Sequence, residues 1–301
     1  MSVVVKNLTK IYGSQKAVNN ISFEAKKGTI LGFLGPNGAG KTTTMKILTS
    51  FIPQTSGTAT VCGFDTATSP IDVRKNIGYL PEHNPLYKDM YVKEYLNFVA
   101  NLHEIPNKRS RVGEMIEMTG LTREQKKQIG SLSKGYRQRV GLAQAMLHNP
   151  DVLILGEPTS GLDPNQLVEI RALVKSLGKE KTVIFSTHIM QEVQAICDRV
   201  IIINKGNLVA NDTIDTLQQK VAGTTRITVE FLQKTSRKTL GKIKGVKEVK
   251  HLGGNSWQLI TALHDDVRAD IFEFAVVNNL TLLELRKEIF SVEDVFQELT
   301  K

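Results

Sequence analysis

Residues 35 to 42 read Gly-Pro-Asn-Gly-Ala-Gly-Lys-Thr, and that order of residue types suits one task, the holding of a chain of phosphates. Gly35, Gly38 and Gly40 let the backbone curl until successive N–H groups face inward, with Pro36, Asn37 and Ala39 between them. A helix beginning near Lys41 and running through Met45, Ile47 and Leu48 adds the positive end of its dipole, about half an elementary charge. Lys41 is placed to reach the β- and γ-phosphates and the Thr42 hydroxyl to meet Mg²⁺, with Thr43 completing the contacts. The apolar run Gly28–Leu34 reads as the strand that delivers this loop. A nucleoside triphosphate with Mg²⁺ is the ligand these residues imply.

Three further stretches carry residue types that do chemistry. Leu132-Ser-Lys-Gly-Tyr-Arg-Gln-Arg139 precedes a helix whose inward face is Val140, Ala143, Met146 and Leu147, ended by Asn149-Pro150. Val152–Leu155 reads as a buried strand running into Gly156-Glu-Pro-Thr-Ser-Gly-Leu-Asp163. A second buried strand, Thr182–Phe185, leads to Ser186-Thr-His188. A carboxylate at a strand end, as Glu157 is, can take a proton from water lined up on a phosphate. Asp163, directly before Pro164, also suits an N-cap.

Composition limits the setting. At 301 residues the chain exceeds one ordinary domain core, so two domains are expected. An apolar content of 41% and a charged content of 23% belong to a folded globular chain. No apolar run approaches the ~18 residues of a membrane-spanning helix, and no leader pattern is seen, so a cytoplasmic protein is expected. Cys62 and Cys197 lie far apart without ligand-type neighbours and are expected to be buried thiols. The net charge of +9 sits almost wholly in residues 1–220, with 27 basic against 19 acidic side chains. Anionic nucleotide, an acidic protein surface or the negative membrane leaflet would all suit that bias. Nucleic acid is not expected as a partner, since no basic stripe interleaved with aromatics occurs.

The texture changes near residue 220. Before it, short Val/Ile/Leu runs alternate with helical stretches, as in an α/β domain on a largely parallel sheet. Val200–Ile203 reads as another strand, turned by Asn204-Lys-Gly206 into a hairpin with Leu208–Ala210. Val92, Tyr95, Leu96 and Val99, then Val112, Met115 and Ile116, fall at helical spacing and read as a helical insertion. After it, residues 221–301 read as a small α+β domain: strand Arg226–Leu232, helix Arg237–Ile243, and two short strands around Gly253-Gly254. A helix Asp265–Val277, a strand Thr281–Glu288 and a helix Val292–Leu299 follow. No catalytic constellation is found there, which points to regulation or assembly.

The order and spacing of these motifs resemble the ATP-binding subunits of ABC transporters over residues 3 to about 220. The resemblance implies a P-loop NTPase fold of ABC type, with a helical subdomain inserted at about 87–148 and a small C-terminal α+β domain. It implies that Tyr12 stacks on adenine, that Glu157 is the general base, and that His188 contacts the γ-phosphate. Leu132, Ser133, Lys134, Gly135 and Tyr136 correspond to the signature loop that closes over ATP held by the opposite subunit, and Asp163 to the loop crossing that interface. Two copies would thus sandwich two ATP molecules, and a separate integral-membrane permease would be the partner. The chain would sit at the inner face of the membrane and touch lipid only indirectly.

Three positions depart from the family pattern. Gly156 replaces the acidic residue that holds Mg²⁺ through water, which predicts weaker metal binding and slower hydrolysis. The signature loop has Lys134 and Tyr136 where the family has glycine and glutamine. Glu82, in Tyr79-Leu-Pro-Glu82, stands where the family has glutamine and offers a second metal ligand beside Thr42. An ATP-gated binding module without catalysis and a soluble ABC ATPase are the alternatives. Within the family, the single nucleotide domain and the C-terminal extension ending in Phe290–Thr300 resemble a branch of bacterial exporter ATPases, and Gly78–Tyr87 with Leu162–Gln166 resembles most the gliding-motility-associated subunit of Bacteroidetes.

Overall fold

A computed structural model describes residues 2–222, 224–262, 266–288, 296, 299 and 300. The chain divides into two compact units, Met1–Thr213 with Thr300, and Ile214–Leu299 with Lys301. The boundary thus falls before the helix at 214, a few residues ahead of the expected change at 220.

The first unit runs β1 (Val3–Tyr12), β2 (Gln15–Ala25), β3 (Thr29–Leu34), α1 (Lys41–Leu48), β4 (Ser56–Val61), β5 (Phe64–Asp65), α2 (Pro70–Asn76) and β6 (Ile77–Leu80). It continues through α3 (Val92–Leu102), α4 (Lys108–Met118), α5 (Lys134–Met146), β7 (Val152–Gly156), α6 (Pro164–Gly178), β8 (Thr182–Ser186), α7 (Met190–Ile196), β9 (Arg199–Asn204) and β10 (Asn207–Asp212). Six strands form one sheet in the order β10-β9-β3-β8-β7-β6. All its pairings are parallel except the β9–β10 hairpin. Val152, Leu153, Ile154 and Leu155 are wholly buried, as are Val183, Ile184 and Phe185. Each such side chain contributes about 1.5–3 kcal/mol relative to exposure, so unbroken apolar runs suit strands covered on both faces.

This topology places the motifs. Strands β3, β8, β7 and β6 are parallel neighbours, so their carboxyl ends open on one edge. From that edge emerge the glycine loop after β3, Thr187 and His188 after β8, Glu157 after β7, and Pro81-Glu82 after β6.

A second sheet, antiparallel and ordered β2-β1-β4-β5, was not part of the expected largely parallel arrangement. Its signal is alternation with interruptions: Val18, Ile21, Phe23 and Ala25 of β2 are buried while Asn20, Ser22 and Glu24 between them are more exposed. Register shifts in the β1–β2 pairing break the period that a sequence pattern needs. Within the expected insertion, α3, α4 and α5 pack around Leu96, Val99, Met115, Ile116, Val140 and Ala143.

The second unit carries α8 (Ile214–Ala222), β11 (Thr224–Phe231), α9 (Arg237–Leu240), β12 (Val246–Gly253), β13 (Ser256–Ala262), α10 (Arg268–Val277) and β14 (Leu282–Glu288). Its antiparallel sheet is ordered β12-β13-β11-β14, and Ile227, Val229, Phe231, Leu259 and Ile271 form its core. The expected last helix lies outside the described residues, except that Phe296 and Leu299 are helical. Cys62 and Cys197 are free thiols, as expected; each residue is partly exposed, and burial raises the pKa of both thiols, more strongly at Cys197. Cys62 stands in the tight β4–β5 turn with φ +50°, which keeps it at the sheet margin.

Candidate functional site

The glycine loop is held from outside by two distant segments, β2 and the β9–β10 hairpin. A Cβ on Gly35 would lie 2.4 Å from the Ile203 carbonyl oxygen, and one on Gly40, at φ +109°, 2.4 Å from that of Ala17. The Gly206 N–H donates to the Ala39 carbonyl at 3.0 Å. Bare backbone is therefore required at Gly35 and Gly40, and the cradle that results fits phosphate oxygens. Thr44 Oγ1 donates to the Gly40 carbonyl at 2.9 Å and anchors the first turn of α1.

Lys41 Nζ donates to the carbonyls of Gly35 at 2.6 Å and Pro36 at 3.1 Å. Burial lowers its pKa, while the charges of Glu157 and Glu82 oppose that shift. Both carboxylates therefore lie within electrostatic reach of Lys41. The ammonium is held by carbonyls that a phosphate can outcompete, because a charged acceptor bonds about twice as strongly.

Glu157 follows β7 in the left-handed region at φ +49°, unusual for a residue with a side chain. Its N–H donates to the Ser186 carbonyl at 2.8 Å, and its own carbonyl accepts Gln138 Nε2 at 3.0 Å. The carboxylate accepts three donors: Thr187 Oγ1 at 3.1 Å, His188 N–H at 2.9 Å and His188 Nδ1 at 2.8 Å. An ionised carboxylate only accepts, so the proton of that last contact sits on Nδ1. Glu157 is 7% exposed, whereas the His188 side chain is 67% exposed. The carboxylate is thus tethered and the imidazole reaches outward.

Gly156 offers no side chain at the strand end. A Cβ there would lie 2.9 Å from the Glu82 N–H nitrogen and 3.1 Å from the Leu80 carbonyl, so the end of β6 runs directly over it. Among the described residues no cluster of three or more His, Cys, Asp or Glu forms a metal cage. The oxygen donors available, Thr42, Glu82 and Glu157, are hard ligands of the kind Mg²⁺ takes together with phosphates and water.

The signature segment starts α5. Ser133 caps it, accepting the Tyr136 N–H at 3.3 Å. A Cβ on Gly135 would lie 2.9 Å from the Gly161 carbonyl, and Lys134 Nζ donates to Ser160 Oγ at 2.7 Å. Lys134 and Gly135 are therefore interlocked with the segment before Asp163, which itself caps α6 by accepting the Gln166 N–H at 2.9 Å. Tyr12 ends β1 with its ring 47% exposed and Lys10 Nζ 5.2 Å from its centre.

Sequence reasoning assigns no role to Gln138, Thr187 or Gly206. Gln138 and Thr187 fall inside the motif stretches, but only folding shows that both bond Glu157. No sequence signal marks Gly206 beyond its hairpin turn.

A family model described as ABC transporter matches residues 18–160. The chain is 40% identical over 224 residues to the bacitracin transport ATP-binding protein BcrA of Bacillus licheniformis, covering 73% of each. It is 32% identical over 301 residues to the linearmycin resistance ATP-binding protein LnrL of Bacillus subtilis, covering 98% of this chain and 97% of that one. Among solved structures, an ATP-binding subunit of an ABC transporter matches with TM-score 0.69 and 26% identity, over 74% of this chain and 94% of that chain. A dimeric ATP-binding cassette in a post-hydrolysis state with ADP and Pi matches with TM-score 0.66 and 25% identity, over 70% and 98%.

Proposed function

The chain belongs to the ABC transporter ATP-binding proteins, and from that premise we propose the work of its individual residues. It is an ATP-hydrolysing subunit that powers a separate membrane transporter. The observation that carries the residue assignment is the row of strand ends, which brings the glycine loop, His188, Glu157 and Glu82 to one edge.

In this reading the loop amides and Lys41 bind the phosphates, and Tyr12 stacks on the adenine. Glu157 takes the proton of the attacking water, while Thr187 and His188 N–H fix the carboxylate in place. His188, with Nδ1 committed to Glu157, presents Nε2 outward to the γ-phosphate. Ser133 and Gly135 close over ATP bound by a second copy, with Asp163 at that interface. A magnesium ion, held by Thr42 and Glu82, would neutralise charge developing on the phosphates. With Gly156 in place of a carboxylate, one oxygen donor fewer would hold that ion, and turnover would be slower than in a chain bearing the acid.

The membrane partner is a permease subunit, and the chain lies against the inner face of the membrane without spanning it. Among the described residues no helix is long and apolar enough to cross a bilayer. Tyr87 and Phe98, ring centres 5.8 Å apart and both exposed, lie on the surface of the helical insertion that would receive it. Export is the direction we favour, given relatives named for antibiotic transport and resistance. The gliding-related branch is the finer assignment, and it rests on the motifs of residues 78–87 and 162–166.

The test is steady-state ATP hydrolysis with Mg²⁺ by the purified chain beside its Glu157→Gln and Gly156→Asp variants. We expect turnover that drops about 10²–10⁴-fold in Glu157→Gln with nucleotide binding retained, and that rises in Gly156→Asp. Hydrolysis indifferent to Glu157→Gln would remove the assignment of the base. Because a side chain at 156 must also displace the end of β6, the metal reading is decided by Mg²⁺ dependence: a Gly156→Asp chain that needs no less Mg²⁺ for half-maximal turnover than the parent would remove it.

A further inference from the structure

Gly141 lies inside α5, where alanine would be the better helix former. Its φ is not in the left-handed region, so the backbone does not demand glycine. The demand comes from a neighbour. A Cβ on Gly141 would fall 1.8 Å from Asn84 Nδ2, 2.8 Å from Asn84 Cγ and 2.7 Å from Leu80 Cδ1. Asn84 stands two residues after Glu82, and its Nδ2 donates to the Arg137 carbonyl at 3.4 Å, one turn before Gly141. The Arg137 guanidinium in turn donates to the Leu132 carbonyl, the residue directly before Ser133.

We propose that Asn84, seated on the bare helix surface at Gly141, is a positioning residue that makes the Glu82 segment and the signature segment Ser133–Gly135 move together. The path is continuous: Glu82 and Asn84 share one short loop, Asn84 holds the Arg137 carbonyl, and Arg137 holds Leu132. One end lies at the phosphate site, since Glu82 leaves β6 at the same sheet edge from which the glycine loop leaves β3. The other end is the segment that meets the partner copy's nucleotide, and this inference rests on that part of the functional reading. Occupancy of one site is thereby passed to the surface that completes the other.

The test uses the full chain and the variants Asn84→Ala, Gly141→Ala and both combined. Asn84→Ala breaks the link without a clash, whereas Gly141→Ala pushes Asn84 off the helix. We expect each to lower kcat about tenfold with nucleotide affinity within about twofold, and the pair to be no worse than Gly141→Ala alone, because the link is already lost there and the contact with Leu80 is common to both. Amide exchange measured without nucleotide should rise at residues 82–86 and 133–137 together. Additive losses, an effect of only one variant, or exchange rising in only one segment would overturn the link. If the parent neither binds nor hydrolyses nucleotide, the functional reading fails, and the nucleotide-free exchange pattern still decides whether the link exists.

Discussion

The glycine loop and the Glu157 carboxylate leave strands of the same sheet, yet they are assembled in opposite ways. The loop is eight consecutive residues whose own backbone makes the cradle, and distant groups such as Ala17 and Ile203 only press against it. Glu157 is one residue in a strained conformation, and its orientation is set by Thr187 and His188, 30 and 31 positions away, and by Gln138, 19 positions before it. A contiguous binding element tolerates changes elsewhere and fails through its own residues. A site gathered from three segments can be detuned from any of them.

Lys41→Ala gives the largest expected break on the loop side. It removes the only side-chain cation of the loop, and nucleotide affinity should fall about 100-fold, as measured by titration with a fluorescent ATP analogue. Affinity retained within a factor of a few would mean that the amides alone hold the phosphates. Thr187→Val probes the gathered side. It keeps the shape and deletes one of three donors to Glu157, so kcat should fall about tenfold while nucleotide affinity stays put. A parallel loss of affinity would show that the two regions are one unit after all.

The smallest effect on hydrolysis is expected far from both. His148, stacked on His103 at 4.2 Å, has its pKa lowered to about 4, chiefly by burial, with His103, Lys181 and Arg111 adding to it and the contact with the Ile77 carbonyl opposing. Its neutral form is the one folding favours. Stability from this residue is complete above the unfolded value near 6.5 and is lost as the pH falls from there towards 4. After allowance for partial exposure this amounts to about 2 kcal/mol. Urea midpoints at pH 7 and pH 4.5 should therefore converge in His148→Gln, with hydrolysis at neutral pH unchanged. A pH dependence that survives the substitution would place the acid lability elsewhere.

Legibility followed the same divide. The strands β7 and β8 could be read because burial on both faces leaves only apolar residues in them. The antiparallel sheet could not, because register shifts in β1 and polar residues in β2 blur a period of two. From β11 to β14 the second unit's elements were readable in order but not in pairing, and α8 was not read at all: β14 joins β11, not the hairpin that precedes it. Strand order depends on contacts that no local pattern encodes.

By itself the sequence determined that a glycine-rich loop ending in Lys41-Thr42 stands between a strand and a helix, that a carboxylate at Glu157 and an imidazole at His188 each follow a buried apolar strand, and that position 156 carries no acid. Those are properties of consecutive residues and of side-chain chemistry. Only the tertiary structure decided that β3, β8, β7 and β6 lie side by side, that Thr187 and Gln138 hold Glu157, and that Asn84 rests on Gly141. Each of these is a meeting of segments far apart in the chain, and such meetings are set by the packing of the whole core.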